Sequence, residues 1–283
     1  MRFKKLAIVA ILGMMVAALA LAGCGGGSSS SSSSSSEAEE SSSSSAATEA
    51  TGDYTLLHEG ELTVLLSPDY PPFENTAENG DIEGFEVDLF KAVAEEMDLT
   101  YTPVTMQFDA IQPAIQAGGQ GDVGVSGFSV TPEREKEVVF TESFYVDNQA
   151  VAVMDDSDIT EENAEEELNK EGVTIAVQTG TTGEDWAREN FPEAKIQGFG
   201  NSTDCFAAMQ SGNADAVCTN LAVVERMLAD AYSDARIVIE SATGEEYAAI
   251  VSQDNPGLAE AISAALDTLE ENGTIDELME KWF

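Results

Sequence analysis

Short apolar runs alternate along the chain with segments of helical periodicity. Residues 62–66 read Leu-Thr-Val-Leu-Leu and have the length of a strand, whereas Phe90, Val93, Ala94 and Met97 recur as on one face of an amphipathic helix. Further strands are predicted over 101–106, 122–126, 173–177, 194–197 and 215–219. Further helices are predicted from Asp109, as the N-cap, to Gly118, from about Glu184, and over 203–210. Strands that alternate with helices in this way predict parallel βαβ units.

The C-terminal segment has helical periodicity throughout. One apolar stripe is formed by Leu258, Ile262, Leu266 and Leu269. Thr274 and Glu277 then have the spacing of a capping box, which predicts that a second helix starts at Thr274.

The strand and helix units fall into two groups. An apolar run at 151–153 and an acidic stretch at 155–171 separate the groups. We therefore predict two α/β lobes, with a ligand crevice at the carboxyl ends of the strands, where the lobes face each other.

The N-terminus has the pattern of an export signal. A basic start, with Arg2, Lys4 and Lys5, precedes an apolar run over 6–21 that ends in Leu-Ala-Gly-Cys. The run is shorter than the roughly 20 residues that span a bilayer, although a retained anchor helix is an alternative. Leu-Ala-Gly-Cys resembles the bacterial lipoprotein processing box. This resemblance implies a signal peptide over 1–23 and an acylated, palmitate-bearing Cys24 that anchors the chain to a membrane.

Residues 24–53 consist mainly of Gly, Ser and acidic residues, including nine consecutive serines from Ser28 to Ser36. Such a composition buries little apolar surface, so it predicts a disordered tether. With roughly 30 residues, its typical reach is about 30 Å.

Charge and rare residue types exclude several classes of function. The formal net charge is −41, which argues against nucleic acid as a partner. His58 is the only histidine and lies at the end of the tether, so neither histidine-based catalysis nor a usual zinc site is expected, and no cofactor is predicted. Cys205 and Cys218 could form a disulfide in an exported protein or could equally be small buried residues.

Residues 127–134 read Gly-Phe-Ser-Val-Thr-Pro-Glu-Arg and directly follow a predicted strand. Gly127 allows close backbone approach, Ser129 supplies a hydroxyl, and Arg134 supplies a planar set of donors suited to a carboxylate. Taken alone, the segment could equally be a turn whose exposed arginine pairs with Glu133 or Glu137.

Eight short motifs, one of which contains this segment, follow one another along the folded part of the chain. They are 67–74, 84–89, 108–109, 126–134, 140–145, 178–182, 212–217, and 273–275 with Trp282. Across the folded part, the sequence resembles the family 3 solute-binding proteins of polar amino acid ABC importers. The resemblance implies an α/β, periplasmic-binding-protein-like fold of type II, in which each lobe is a mainly parallel sheet flanked by helices. Lobe 1 would comprise 54–147 and 246–283, and lobe 2 would comprise 148–245.

The resemblance also implies how the cleft would hold the backbone of an α-amino acid. Arg134, with the backbone N–H groups of Ser129 and Thr182, would bind the α-carboxylate. Thr182 lies in a Gly-rich turn that opens a predicted helix, where free N–H groups favour an anion. The Gly127 carbonyl and the Ser129 hydroxyl would accept hydrogen bonds from the α-ammonium.

Other positions would contact the ligand side chain. Tyr70 and Phe108 match aromatic positions that enclose it, although either ring could be plain core. Ser67 stands where relatives selective for cationic side chains often have an acid, so an uncharged polar ligand is favoured over a basic one. Gln178 could hydrogen-bond such a side chain. Asp69 matches a turn position that we expect to be exposed.

Position 220 departs from the family pattern. Asn220 stands where the family usually has an acidic residue that pairs with the α-ammonium. An amide gives no charge compensation, which leaves three possibilities: the ammonium is bound more weakly, another acid such as Glu142 substitutes, or the ligand is not an ordinary α-amino acid.

The resemblance implies an extracytoplasmic, monomeric substrate-binding component of an ABC importer. Its partners would be an amino acid ligand, a permease with its ATPase subunits, and the membrane through the N-terminal lipid. The alternative is a dehydratase-like periplasmic enzyme on the same fold, for which Glu142 is the candidate acid.

Overall fold

The computed structural model describes residues 53–283, so the predicted signal peptide, Cys24 and nearly all of the predicted tether lie outside it. The strands are β1 (Glu61–Leu66), β2 (Asp69–Tyr70), β3 (Glu74–Thr76), β4 (Ile82–Glu83), β5 (Thr100–Thr105), β6 (Val123–Gly124), β7 (Val138–Phe140), β8 (Tyr145–Met154), β9 (Thr174–Gln178), β10 (Lys195–Phe199), β11 (Ala216–Asn220), β12 (Ala235–Tyr247) and β13 (Ile250–Ser252). The helices are α1 (Phe85–Glu96), α2 (Phe108–Ala117), α3 (Ala164–Leu168), α4 (Thr182–Asn190), α5 (Ser202–Gln210), α6 (Leu221–Asp230), α7 (Pro256–Glu271) and α8 (Thr274–Trp282), with a 3-10 turn at Arg134–Lys136.

The first lobe is built on a five-stranded sheet with the order β5-β1-β6-β13-β7. Strands β5, β1 and β6 are parallel, whereas β13 is antiparallel to both of its neighbours. Helices α1, α2, α7 and α8 flank this lobe. A small antiparallel sheet, β2-β3-β4, follows β1.

The second lobe is built on a sheet with the order β10-β9-β11-β8-β12. Strands β10, β9 and β11 are parallel, and β8 is antiparallel to both β11 and β12. The chain passes from the first sheet to the second through residues 141–144 and returns through residues 248–249. Both sheets are therefore mixed, since the strands on either side of these crossings are antiparallel to their neighbours.

Several predicted boundaries were wrong. The 151–153 run does not separate the lobes but lies inside β8, where complete burial explains why it is continuously apolar. The N-cap of α2 is Gln107, so Asp109 lies within the helix. Thr274 is the first residue of α8, and no side chain caps that helix because Gly273 precedes it in the left-handed region, at φ 87°.

The structure decides whether Cys205 and Cys218 form a disulfide or are separate buried residues. Cys205 and Cys218 are both free and buried, and burial raises the pKa of each thiol. Among the described helices, none is long and apolar enough to cross a membrane.

An aromatic cluster packs beneath the two chain crossings. The Phe73 ring lies 5.0 Å from that of Tyr145, 5.2 Å from that of Tyr247 and 5.4 Å from that of Phe283, measured between centroids. Tyr145 begins β8 and Tyr247 ends β12, and the two residues are register partners. The cluster therefore fixes the point where the lobes join, with each edge-to-face pair worth about 0.5–1.5 kcal/mol beyond its buried area.

Two carboxyl groups, those of Glu74 and Glu86, are completely buried behind Gly127. The Gly127 N–H donates to Glu86 Oε1 at 2.9 Å, whereas neither oxygen of Glu74 has a hydrogen-bond partner among the described residues. Burial and the neighbouring Glu86 raise the pKa of Glu74 well above its usual value, and burial raises the pKa of Glu86 to about 7. An unpaired buried carboxylate is costly, so burial favours the protonated form of Glu74.

This pair predicts how stability depends on pH. Because both pKa values are raised in the folded state, the folded chain holds protons that the unfolded chain releases above its usual value of 4.5. The stabilisation is complete below that pH and is lost as the pH rises through about 7 and beyond. In urea unfolding between about pH 5 and pH 8, the free energy of unfolding should fall less in Glu74→Gln than in the wild type. Glu78→Gln, which removes an exposed acid, serves as the control, and equal slopes in all three proteins would contradict a protonated Glu74.

Candidate functional site

A small cavity lies between the two lobes, and seven of the nine predicted ligand-binding residues line it. Its walls are formed by Tyr70, Phe108, Ser126, Gly127, Arg134, Gln178, Thr181, Thr182 and Asn220. Its volume is about 10 Å³, which is room for about one water-sized sphere. The carboxyl ends of β9 and β11 supply Gln178 and Asn220, as expected for a crevice at the strand ends.

Arg134 is a partly buried cation in the wall of this cavity. Its guanidinium carbon lies 5.7 Å from the centroid of the Phe108 ring and 5.2 Å from that of Phe128. Nη1 donates to the Ser129 carbonyl at 2.9 Å and Nη2 to the Gly180 carbonyl at 3.1 Å, so the side chain joins the two lobes. The alternative of an exposed arginine paired with Glu133 or Glu137 is therefore wrong.

The charge of Arg134 has no close anionic partner. Among the ion pairs within 4 Å in the described part of the chain, none includes Arg134. Burial lowers the pKa of Arg134, and the more distant charge of Glu245 opposes that shift. A guanidinium keeps its proton in proteins, so the cavity holds a positive charge that carbonyl oxygens and aromatic faces only partly compensate.

Two backbone features complete this side of the cavity. Gly127 has φ 59°, and an added Cβ atom would lie 3.0 Å from the Tyr70 ring and 3.2 Å from that of Tyr247, so no larger residue fits without displacement. Thr182 is the first residue of α4, whose N-cap, Thr181, accepts from the Glu184 N–H at 3.1 Å. The positive end of that helix therefore lines the cavity.

The side chain of Asn220 already makes hydrogen bonds to neighbouring residues. The Tyr70 hydroxyl donates to Asn220 Oδ1 at 2.5 Å, across the gap between the lobes. Asn220 Nδ2 lies 3.5 Å from the Asn148 carbonyl and 3.4 Å from Glu245 Oε2. Tyr70 thus contributes to the contact between the lobes as well as to the cavity wall.

Ser67 and Asp69 occupy places that the sequence did not predict. Ser67 does not line the cavity, and its hydroxyl donates to Asp69 Oδ1 at 2.6 Å. Asp69 Oδ2 accepts from the Ser202 N–H at 2.5 Å and from Gln178 Nε2 at 3.2 Å, both in the second lobe. The expectation that Asp69 is exposed was wrong because its partners come from the facing lobe, and burial raises the pKa of its carboxyl group.

Glu142 is not the acid that replaces the family's acid at position 220. It is exposed, and its N–H donates to Ser263 Oγ at 2.9 Å, away from the cavity walls. Because Glu142 lies away from the cavity, the dehydratase alternative also loses its candidate acid.

An acid that sequence reasoning missed, Glu245, lies beside the cavity. Its Oε2 accepts from the Ser129 hydroxyl at 2.5 Å and the Thr182 hydroxyl at 2.6 Å, and its Oε1 accepts from Gln149 Nε2 at 2.7 Å. No local pattern marks Glu245, since it lies on β12 next to a register shift and far in sequence from the motif residues.

Two mixed-sheet α/β lobes joined by two chain crossings, with a partly buried cation in the crevice between them, define a two-lobed binding protein of type II. Residues 62–283 match the bacterial extracellular solute-binding proteins, family 3, and the chain belongs to this family.

The chain is similar to proteins named for amino acid binding. It is 29% identical to ABC transporter arginine-binding protein 1 of Escherichia coli (strain K12) over 77% of this chain and 88% of that protein. It is 32% identical to the ABC transporter glutamine-binding protein GlnH of Bacillus subtilis (strain 168) over 72% of this chain and 74% of that one. The structure of an ancestral arginine-binding protein bound to glutamine aligns with a TM-score of 0.73, at 34% identity, covering 80% of this chain and 99% of the other.

The bonds of Asp69 predict how the lobes stay together. Asp69→Ala removes two hydrogen bonds between the lobes, and a hydrogen bond to a charged group contributes about 1.5–3 kcal/mol. We therefore expect the lobes to separate more often, which small-angle X-ray scattering would show as a larger radius of gyration. Asp230→Ala is the control, because that exposed carboxylate pairs with Arg226 within helix α6 of the second lobe. Identical scattering from both variants would contradict a role of Asp69 in closure.

Proposed function

We propose that this chain is the substrate-binding component of an ABC importer, and that it captures a free amino acid outside the cytoplasm and delivers it to a membrane permease with ATPase subunits. The observation that carries the proposal is Arg134, a partly buried guanidinium in the crevice with no carboxylate within ion-pair distance among the described residues. The names of the arginine-binding and glutamine-binding relatives support an amino acid as the ligand.

The α-carboxylate of the ligand would bind between Arg134 and the start of α4. A planar guanidinium can make two parallel bonds to a carboxylate, and the N-terminal N–H groups of a helix favour an anion. Exclusion of water from the crevice strengthens both interactions. The predicted roles of the Ser129 and Thr182 backbone N–H groups belong to this proposal.

Binding requires the lobes to separate and close again. The present cavity of about 10 Å³ is far too small for an amino acid. The two crossings at 141–144 and 248–249 can act as a hinge. Contacts such as Tyr70 to Asn220 and Arg134 to Gly180 would open and re-form around the ligand. Such a cycle would let a permease distinguish the closed, loaded form by surfaces on both lobes of a monomeric protein.

We propose an uncharged polar side chain in preference to a basic one. Tyr70 and Phe108 offer aromatic walls, and Gln178 offers an amide at the same cavity. Ser67 lies outside the present cavity wall, but it is neutral at a position that is often acidic in relatives selective for cations, which argues against a basic ligand. L-Glutamine should then bind more tightly than L-arginine.

A panel of free amino acids titrated by calorimetry tests the ligand class and the role of Arg134. Arg134→Ala should weaken binding of the tightest amino acid at least about thirtyfold, because removing one partner of a buried charge pair costs about 2–5 kcal/mol. Arg134→Lys should recover little, since an ammonium cannot make two parallel bonds. Arg226→Ala, at an exposed ion pair, is the control. Normal binding by a folded Arg134→Ala protein would refute the site.

We also propose that the chain is a lipoprotein, with residues 1–23 as the signal peptide and Cys24 as the lipidated residue. The proposal rests on the sequence pattern around Leu-Ala-Gly-Cys. A diacylated cysteine holds a protein at a membrane because each buried methylene contributes about 0.8 kcal/mol.

The anchor can be tested separately from ligand binding. Cys24→Ser should release the protein from the membrane fraction into the periplasm or medium, while the amino acid affinity stays unchanged. An unchanged membrane fraction on immunoblots would refute the lipid anchor and leave the binding proposal intact.

A further inference from the structure

Position 220 carries the amide of Asn220 instead of an acid, whereas the carboxylate of Glu245 lies beside the cavity. We propose that Glu245 is the residue that compensates the ligand's ammonium group, in place of the acid that Asn220 replaces. This inference rests on the proposed function, since it names the partner of one end of the same ligand.

Asn220 offers an ammonium no opposite charge, and its oxygen is engaged in the arrangement observed. Its carbonyl oxygen already accepts the Tyr70 hydroxyl at 2.5 Å. A carboxylate only accepts hydrogen bonds, so the group that faces Glu245 at 3.4 Å must be the amide nitrogen of Asn220. Asn220 therefore presents a donor to the crevice and helps to orient the Glu245 carboxylate.

Glu245 lies beside the Ser129 hydroxyl, one of the groups expected to meet the ammonium. Its Oε2 contacts the hydroxyls of Ser129 and Thr182. Hydroxyls rotate, so both can turn toward other acceptors when a stronger donor reaches the carboxylate. The register shift in β12 between Ser241 and Glu245, next to Gly244 at φ 62°, places this residue at the crevice.

Asp69 and Asp147, which also lie near the crevice, accept hydrogen bonds from other groups. Asp69 accepts from Ser67, Gln178 and the Ser202 N–H. Asp147, the register partner of Glu245, accepts from the Tyr247 hydroxyl at 3.3 Å and the Ala222 N–H at 3.4 Å. Glu245, by contrast, contacts two residues of the cavity wall, Thr182 and Asn220, as well as the Ser129 hydroxyl.

A charge exchange between positions 245 and 220 tests the proposal. L-Glutamine, L-arginine and the amino acid of the panel that binds most tightly are each titrated into the protein. Their des-amino counterparts are titrated in separate experiments; these are glutaramate for L-glutamine and 5-guanidinopentanoate for L-arginine. Glu245→Gln should weaken binding of the amino acids at least about tenfold, because a hydrogen bond to a charged group is lost. It should leave the des-amino compounds unaffected. Glu246→Gln, which removes the adjacent exposed acid, should change neither.

The double variant Glu245→Gln with Asn220→Asp should restore most of the affinity, since it returns one carboxylate to the crevice. Asn220→Asp alone should gain less, because two carboxylates would then face each other. Amino acid affinity in Glu245→Gln equal to that of Glu246→Gln would overturn the proposal. Tighter binding would also overturn it, since Glu245 would then be a competitor for the ligand's site. A wild type that binds no amino acid of the panel would instead refute the proposed function, and this inference with it.

Discussion

The Arg134 guanidinium lines the crevice and the Glu245 carboxylate lies beside it, and the arrangement of the site depends on keeping both partly buried charges satisfied. Desolvating either group costs several kcal/mol unless hydrogen bonds or an opposite charge compensate. Arg134 bonds to a carbonyl from each lobe, and Glu245 accepts hydroxyls from each lobe. Closing the lobes and satisfying the two charges are therefore one event. A zwitterionic ligand offers each charge a better partner than the neutral groups it now has.

The topology explains how such partners meet. The chain crosses between the sheets twice, at 141–144 and 248–249, and the strands at these crossings are antiparallel to their neighbours. The aromatic cluster around Phe73 fixes the junction, while the cavity walls come from loops and strand ends that can move with their own lobe. A firm junction with separable walls is the geometry that hinge closure requires.

Local patterns allowed much of the fold to be predicted, and long-range contacts explain most of what could not. The β1, α1 and β9 segments carry their apolar period within a few residues, and the motif that contains Gly127 and Arg134 is contiguous. The antiparallel β8 and β12 have no comparable pattern, because burial on both faces or exposure along much of their length hides any alternation. Asp69 was misplaced and Glu245 missed for one reason: their partners are far away in sequence, on the facing lobe or across a register shift.

The acidic composition limits how this chain can build a charged site. With 53 acidic and 12 basic residues, it can pair only a minority of its carboxylates with a cation. In residues 53–283, the ion pairs each have an exposed partner. The buried acid Glu74 relies instead on protonation, and the partly buried acids Asp69 and Glu245 rely on hydroxyl, amide and backbone donors. A carboxylate held by neutral donors keeps its full charge available to an incoming cation. The shortage of basic residues that leaves Arg134 as the cation of the crevice therefore also leaves Glu245 as an anion that can bind the ammonium end of a zwitterion.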